Sequence, residues 1–139
     1  MKNNSNRSKA SPGENKVYDH KQATLQFLEL VAAGNIDDAY RKYVSPEGKH
    51  HNPFFRAGFP ALREAMKENA IQFPNMRLTV KNVIGDGDLV ATHSHIVLHP
   101  GEAGMAVVHL FRFLDDKIVE FWDCGQSVPV DSPNQDGMF

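Results

Sequence analysis

The sequence holds one cysteine, Cys124, and one tryptophan, Trp122. A single thiol closes no internal disulfide and builds no cysteine-based zinc site, so the fold has to rest on packing. Long apolar runs are also missing. None approaches the roughly 20 residues that cross a bilayer, and the first sixteen residues, MKNNSNRSKASPGENK, lack the apolar stretch of a secretory signal. The expectation is a cytoplasmic protein with no membrane contact. No charge sign dominates: 15 Lys and Arg stand against 17 Asp and Glu, for a net charge of −2, and the basic residues are spread along the chain. Without a basic stripe to follow phosphates, nucleic acid is not an expected partner.

A chain of 139 residues has the length of one domain and can enclose a core and one pocket. Residues 1–16 are polar, small and unperiodic, which predicts a disordered tail before a single domain over 17–139. Apolar positions from Tyr18 to Val31 repeat at helical spacing, and AAGN supplies a stop. A short second helix is expected from an Asn35 cap to Tyr43, broken by SPEG, and a third from Pro60 to about Phe73. The period then changes. MRLTVKNVIG, DLVATHSHIVLH, GMAVVHLFRFL and KIVEFWDCGQ are rich in β-branched and aromatic residues and are separated by turn signals, which predicts four consecutive antiparallel strands. Helices followed by strands indicate an α+β fold, with helices laid on one face of a curled sheet. The segment SVPVDSPNQDGMF carries turn formers and either packs over a neighbouring surface or trails.

Three of the seven histidines, His93, His95 and His99, fall within DLVATHSHIVLH. His93 and His95 are two apart, so on a strand they share a face. Such a pair fits a pocket wall, a proton relay or two ligands of a zinc or iron site, with His109 or Asp123 as a third; it also fits structural histidines. His99 lies at a turn beside Pro100 and Gly101 and should face solvent, as should His50. His109 alternates with Val107, Phe111 and Phe113 in a row that would line an apolar interior. Which residue faces it on the next strand depends on the connection: a two-residue turn after Leu114 brings Trp122 opposite, whereas a three-residue turn or a bulge brings Asp123.

The segments HNPFF (His51 to Phe55), GDGDLVATHSHIVL and AVVHLFRFLDDKIVEFWD, with the terminal MF, give the chain from residue 18 to 139 a family likeness. It resembles the SnoaL-like polyketide-cyclase branch of the nuclear transport factor two superfamily. The resemblance implies a cone: a strongly bent sheet whose concave side is closed by helices around an apolar pocket, and a homodimer through the sheet's other face. It implies that Phe121 and Asp123 point inward and that Asp123 does acid–base work; the alternative is a structural aspartate that caps a turn or pairs with Arg112. An aspartate among Phe111, Phe121 and Trp122 would lose hydration, and a poorly hydrated carboxylate is a stronger base. At the position of His109 relatives commonly carry an acid; histidine departs from that pattern but keeps a hydrogen-bond donor. The resemblance also suggests that the face bearing His93 and His95 looks into the cone, and that His51 and Asn52 point into the pocket mouth, with Phe55 beside them as a substrate contact. The alternative is that HNPFF is a folded plug whose Phe54 and Phe55 cover the core. No cofactor is expected. The implied activity is cofactor-independent isomerisation, cyclisation or aldol-type closure of an apolar carbonyl compound. The alternatives are a pocket that binds an apolar ligand without turnover and a metal-dependent enzyme built on His93 and His95.

Overall fold

Helix α1 (Pro12–Ala32) ends where Gly34 takes a left-handed φ of 84°. Asn35 N–H then reaches back to the carbonyl of Leu30 at 2.9 Å and Gly34 N–H to Val31 at 3.0 Å, the paired bonds that satisfy the last carbonyls of a helix. A short helix α2 (Ile36–Tyr43) follows at once, with Asp37 and Asp38 in its first turn and Arg41 and Lys42 in its last, each sign at the favourable end of the helix dipole. Asn35 occupies the cap position, but its side chain makes no capping bond. The computed structural model describes residues 12–139, with side chains from His20 onward. The expected tail therefore lies mostly outside the described residues, and α1 begins at Pro12 rather than Tyr18.

Where SPEG was expected only to break the second helix, the chain runs directly into a strand, β1 (Val44–His50). Strand β1 pairs in parallel with the last strand at the edge of the sheet, a location that tolerates Pro46 because one side of an edge strand makes no ladder bonds. Helix α3 (Phe59–Gln72) carries Pro60 in its first turn. Strands β2 (Arg77–Asp86), β3 (Leu89–Val97), β4 (Met105–Leu114) and β5 (Lys117–Ser127) form the expected antiparallel meander. The five strands lie in the order β1-β5-β4-β3-β2. Among the described residues no helix is long and apolar enough to cross a membrane.

The helices close one face of this sheet. Phe27 and Leu28 of α1, Ile36, Ala39 and Tyr40 of α2, and Phe59 and Leu62 of α3 pack with Val90, Phe111, Phe113 and Ile118 of the strands. Phe27 meets Phe111 edge-on at 5.9 Å and Tyr40 at 5.5 Å. His20 fixes α1 to the far end of the sheet: its ring stacks on Phe113 at 4.4 Å and its Nε2–H donates to the carbonyl of Asp115, which sits in the β4–β5 turn with φ 56°.

One irregularity sets the register on which the site depends. Leu114 pairs with Lys117 and Phe113 with Ile118, so the turn has two residues, Asp115 and Asp116. Arg112 pairs with Glu120, leaving Val119 as the extra residue of a bulge. Every later residue of β5 is shifted by one, and Asp123 rather than Trp122 stands opposite His109.

Candidate functional site

Between helices and sheet lies a cavity of about 230 Å³. Its walls are mainly apolar, with Phe27, Leu62, Met66, Leu78, Met105 and Phe111 among them. Five polar side chains reach it: Tyr40, Asn52, Asn69, His109 and Asp123. Two of these, His109 and Asp123, are cross-strand partners on β4 and β5.

The His109 ring is held between aromatics, 5.4 Å from Phe121 and 5.9 Å from Phe111, near-parallel to both. Burial pushes its pKa down to about 4, while the charge of Asp123 acts in the opposite direction. It is therefore a neutral imidazole at physiological pH. An unfolded histidine titrates near 6.5, so as pH falls the unfolded chain takes up this proton first, and the fold loses stability between about 6.5 and about 4. Urea unfolding at pH 7 and pH 4.5 should show the native protein losing about 2 kcal/mol more than His109→Gln over that interval.

Asp123 is held by the segment after β1. The Nδ2 of Asn52 donates to Asp123 Oδ2 at 2.9 Å. That amide is itself oriented, because its Oδ1 accepts the backbone N–H of Phe54 at 2.9 Å, leaving only the NH₂ end to face the carboxylate. His50 braces the same turn. Its Nε2–H donates to the carbonyl of Arg56 at 2.7 Å and its Nδ1 accepts the N–H of Asn52 at 3.1 Å, which defines the Nε2–H tautomer. His50 is thus buried, contrary to the expected exposure, because both ring nitrogens are used inside the fold. The Oδ1 of Asp123 accepts no hydrogen bond among the described residues.

The structure brings together Asp123, His109, Asn52, Phe55, Phe111 and Phe121. It separates the rest. His93 and His95 lie on the outer face of β3, because their neighbours Thr92 and Ser94 take the inner positions opposite His109 and Val107. His93 Nδ1 meets the Asn82 amide at 3.2 Å, His95 Nε2–H donates to the Ala103 carbonyl at 2.8 Å, and the Phe139 ring packs on both imidazoles. The C-terminal segment thus covers part of the outer sheet face. Among the described residues no group of three or more His, Cys, Asp and Glu side chains is arranged to hold a metal ion. His51 and Trp122 also leave the pocket. They stack on each other at 5.1 Å on the outer side, where the Val119 bulge turns Trp122 to face Leu110. His51 Nε2 pairs with Glu120 at 2.7 Å, and Arg112 binds the other oxygen of that carboxylate at 2.7 Å. Arg112 first, then His51, hold the Glu120 carboxyl below its usual range, so Arg112 is committed to Glu120 and not to Asp123. His99 sits at an exposed turn with Glu102 at 3.3 Å. Sequence reasoning missed Asn69 and the methionines of the wall. A helix pattern does not say which of its partly buried residues borders empty space.

A family model for SnoaL-like domains matches residues 24–121. No curated protein matches the chain. Among solved structures, IdmH, a candidate polyketide cyclase from Streptomyces antibioticus, is similar at 20% identity and a TM-score of 0.62, covering 77% of this chain and 91% of that one. A candidate polyketide cyclase from Acidithiobacillus ferrooxidans gives 22% identity and 0.62 over 77% and 87%. A candidate ketosteroid isomerase from Kribbella flavida gives 14% and 0.67 over 86% of each chain. At these identities the likeness is one of fold, three helices on a curved, mostly antiparallel sheet. With the family model spanning well over half of its length, the chain belongs to the family of SnoaL-like domains.

Proposed function

We propose that the protein is a cofactor-independent acid–base enzyme that enolises a compact, apolar carbonyl compound for isomerisation or aldol-type closure. The observation that carries this reading is the pairing of Asp123 with a buried, neutral His109 in an otherwise apolar cavity. Asp123 removes the proton from the carbon next to the carbonyl. The N–H of His109 stabilises the charge that develops on oxygen, and the proton returns from Asp123 to the same or another carbon. Asn52 keeps the carboxylate oriented through Oδ2. A neutral donor suits this task because it does not surrender its own proton to the carboxylate.

The 230 Å³ cavity is smaller than the roughly 300–1,000 Å³ of sites for drug-sized ligands, which supports a substrate of one or two rings. The reaction is tested by incorporation of solvent deuterium next to the carbonyl of small ketones. The size limit is tested by thermal shift: one- and two-ring ketones should raise the melting temperature and four-ring ketones should not. Asn52→Leu should lower kcat about tenfold or more with a smaller change in KM, because it frees the base without emptying the apolar site.

The non-catalytic alternative is favoured by the apolar walls alone, and it predicts binding without exchange. We also propose a homodimer through the outer sheet face, where Val108 is 45% exposed amid Ala106 and Cys124. Light scattering on the full chain should give twice the monomer mass, and Val108→Glu should reduce it to one.

A further inference from the structure

The inner face of the sheet carries one lateral row of polar side chains across three strands. Thr92 of β3 stands opposite His109 of β4, which stands opposite Asp123 of β5. Ser94 follows Thr92 on the same face. Both hydroxyl residues are closed off from solvent, at 1% and 0% exposure, and neither belongs to the cavity wall. Their oxygens and the Nδ1 of His109 are buried and make no hydrogen bond among the described residues. The remaining buried atom of this kind, Nδ1 of His20, sits beside Phe113, away from the row. Buried polar groups are nearly always paired, so three such atoms in one patch indicate a shared partner. Cross-strand partners have Cβ atoms about 5 Å apart, which puts a hydroxyl within reach of the facing ring either directly or through one water, and a buried water typically makes about three hydrogen bonds.

We infer that Thr92 and Ser94 form an internal hydration site behind His109 that donates a hydrogen bond to Nδ1 and so fixes the ring as the Nε2–H tautomer, with that N–H available to the cavity. The inference rests on His109 as the oxygen-stabilising donor of the proposed reaction. A neutral imidazole carries one N–H. On the cavity side the Asp123 carboxylate accepts hydrogen bonds only, which favours an N–H there over a lone pair. The Nδ1 lone pair then needs a donor, and hydroxyl groups or a water held by them supply it. Phe111 and Phe121 confine the ring and hinder its flipping. Thr92 and Ser94 are accordingly positioning residues that do not touch substrate.

The test is ¹⁵N NMR of the histidine rings in the ligand-free full-length chain at neutral pH, with the His109 signals identified by their loss in His109→Gln. Native protein should show a protonated Nε2 and an unprotonated, hydrogen-bonded Nδ1. Thr92→Val keeps the shape and removes the hydroxyl, so the Nδ1 signal should move towards that of a free lone pair. Ser94→Ala should move it in the same direction, and Thr92→Ser should restore the native spectrum. A protonated Nδ1 in the native protein, or native nitrogen shifts in Thr92→Val, overturns the inference. If Thr92→Val does not fold, unchanged nitrogen shifts in Ser94→Ala overturn it. Turnover does not enter this readout, and the acid–base reading is tested separately by deuterium exchange in native protein and Asp123→Asn, so the two failures are distinguishable.

Discussion

Asp123→Asn should reduce exchange and turnover by roughly 10²–10⁴-fold, the usual contribution of a positioned general base, while leaving ligand affinity within a few-fold. Asparagine keeps the size and one oxygen of the side chain, so the Asn52 contact and the cavity shape can persist. What disappears is the ability to take up a proton. Steady-state kinetics together with calorimetric binding separates the two effects, because losing a transition-state interaction lowers kcat and kcat/KM together. Full activity in this variant would remove Asp123 from the mechanism.

The second large effect is expected at a residue that does no chemistry. A Cβ built on Gly48 would lie 2.5 Å from the carbonyl oxygen of Val119 and 2.6 Å from the ring of Phe59. One obstacle is backbone and the other is a core side chain that is 3% exposed, so neither yields cheaply. Gly48→Ala should cost about 3 kcal/mol or more, at or beyond the upper end for overpacking, measured by urea unfolding. The position matters because β1 pairs in parallel with β5 on both sides of the Val119 bulge, and the bulge decides that Asp123 rather than Trp122 faces His109. Strain against the Val119 backbone disturbs the bulge, so the variant should also lose ligand binding in the fraction that still folds.

These two residues mark how far the sequence could be read. The three helices and four antiparallel strands were legible because their periods differ and their turn signals are strong. Strand β1 was not, since Pro46 and Gly48 are turn formers and its only ladder among the described residues is a parallel pairing with residues 71 to 74 positions away. Sequence spacing likewise left the parity of β5 open, because the turn has two residues and only the bulge beyond it restores Asp123 to the inner face. Family resemblance made the right choice there. It failed for His93 and His95, and the cause lies in the strand itself. Both faces of β3 are apolar at their ends and polar in the middle, with Thr92 and Ser94 on one side and the histidines on the other. Hydrophobic pattern cannot rank two such rows, whereas the pairing with β4 does. The Asn52–Asp123 bond was equally hidden, as it joins a loop to a strand 71 residues on.

The most direct test of the acid–base account is proton NMR of β-tetralone in deuterated buffer with catalytic amounts of the native chain, following the signal of the carbon-bound protons next to the carbonyl. The account predicts loss of that signal well above the buffer rate, slowed at least about a hundredfold in Asp123→Asn. Saturable binding of the ketone with exchange no faster than buffer would contradict it and leave a binding pocket in place of an enzyme.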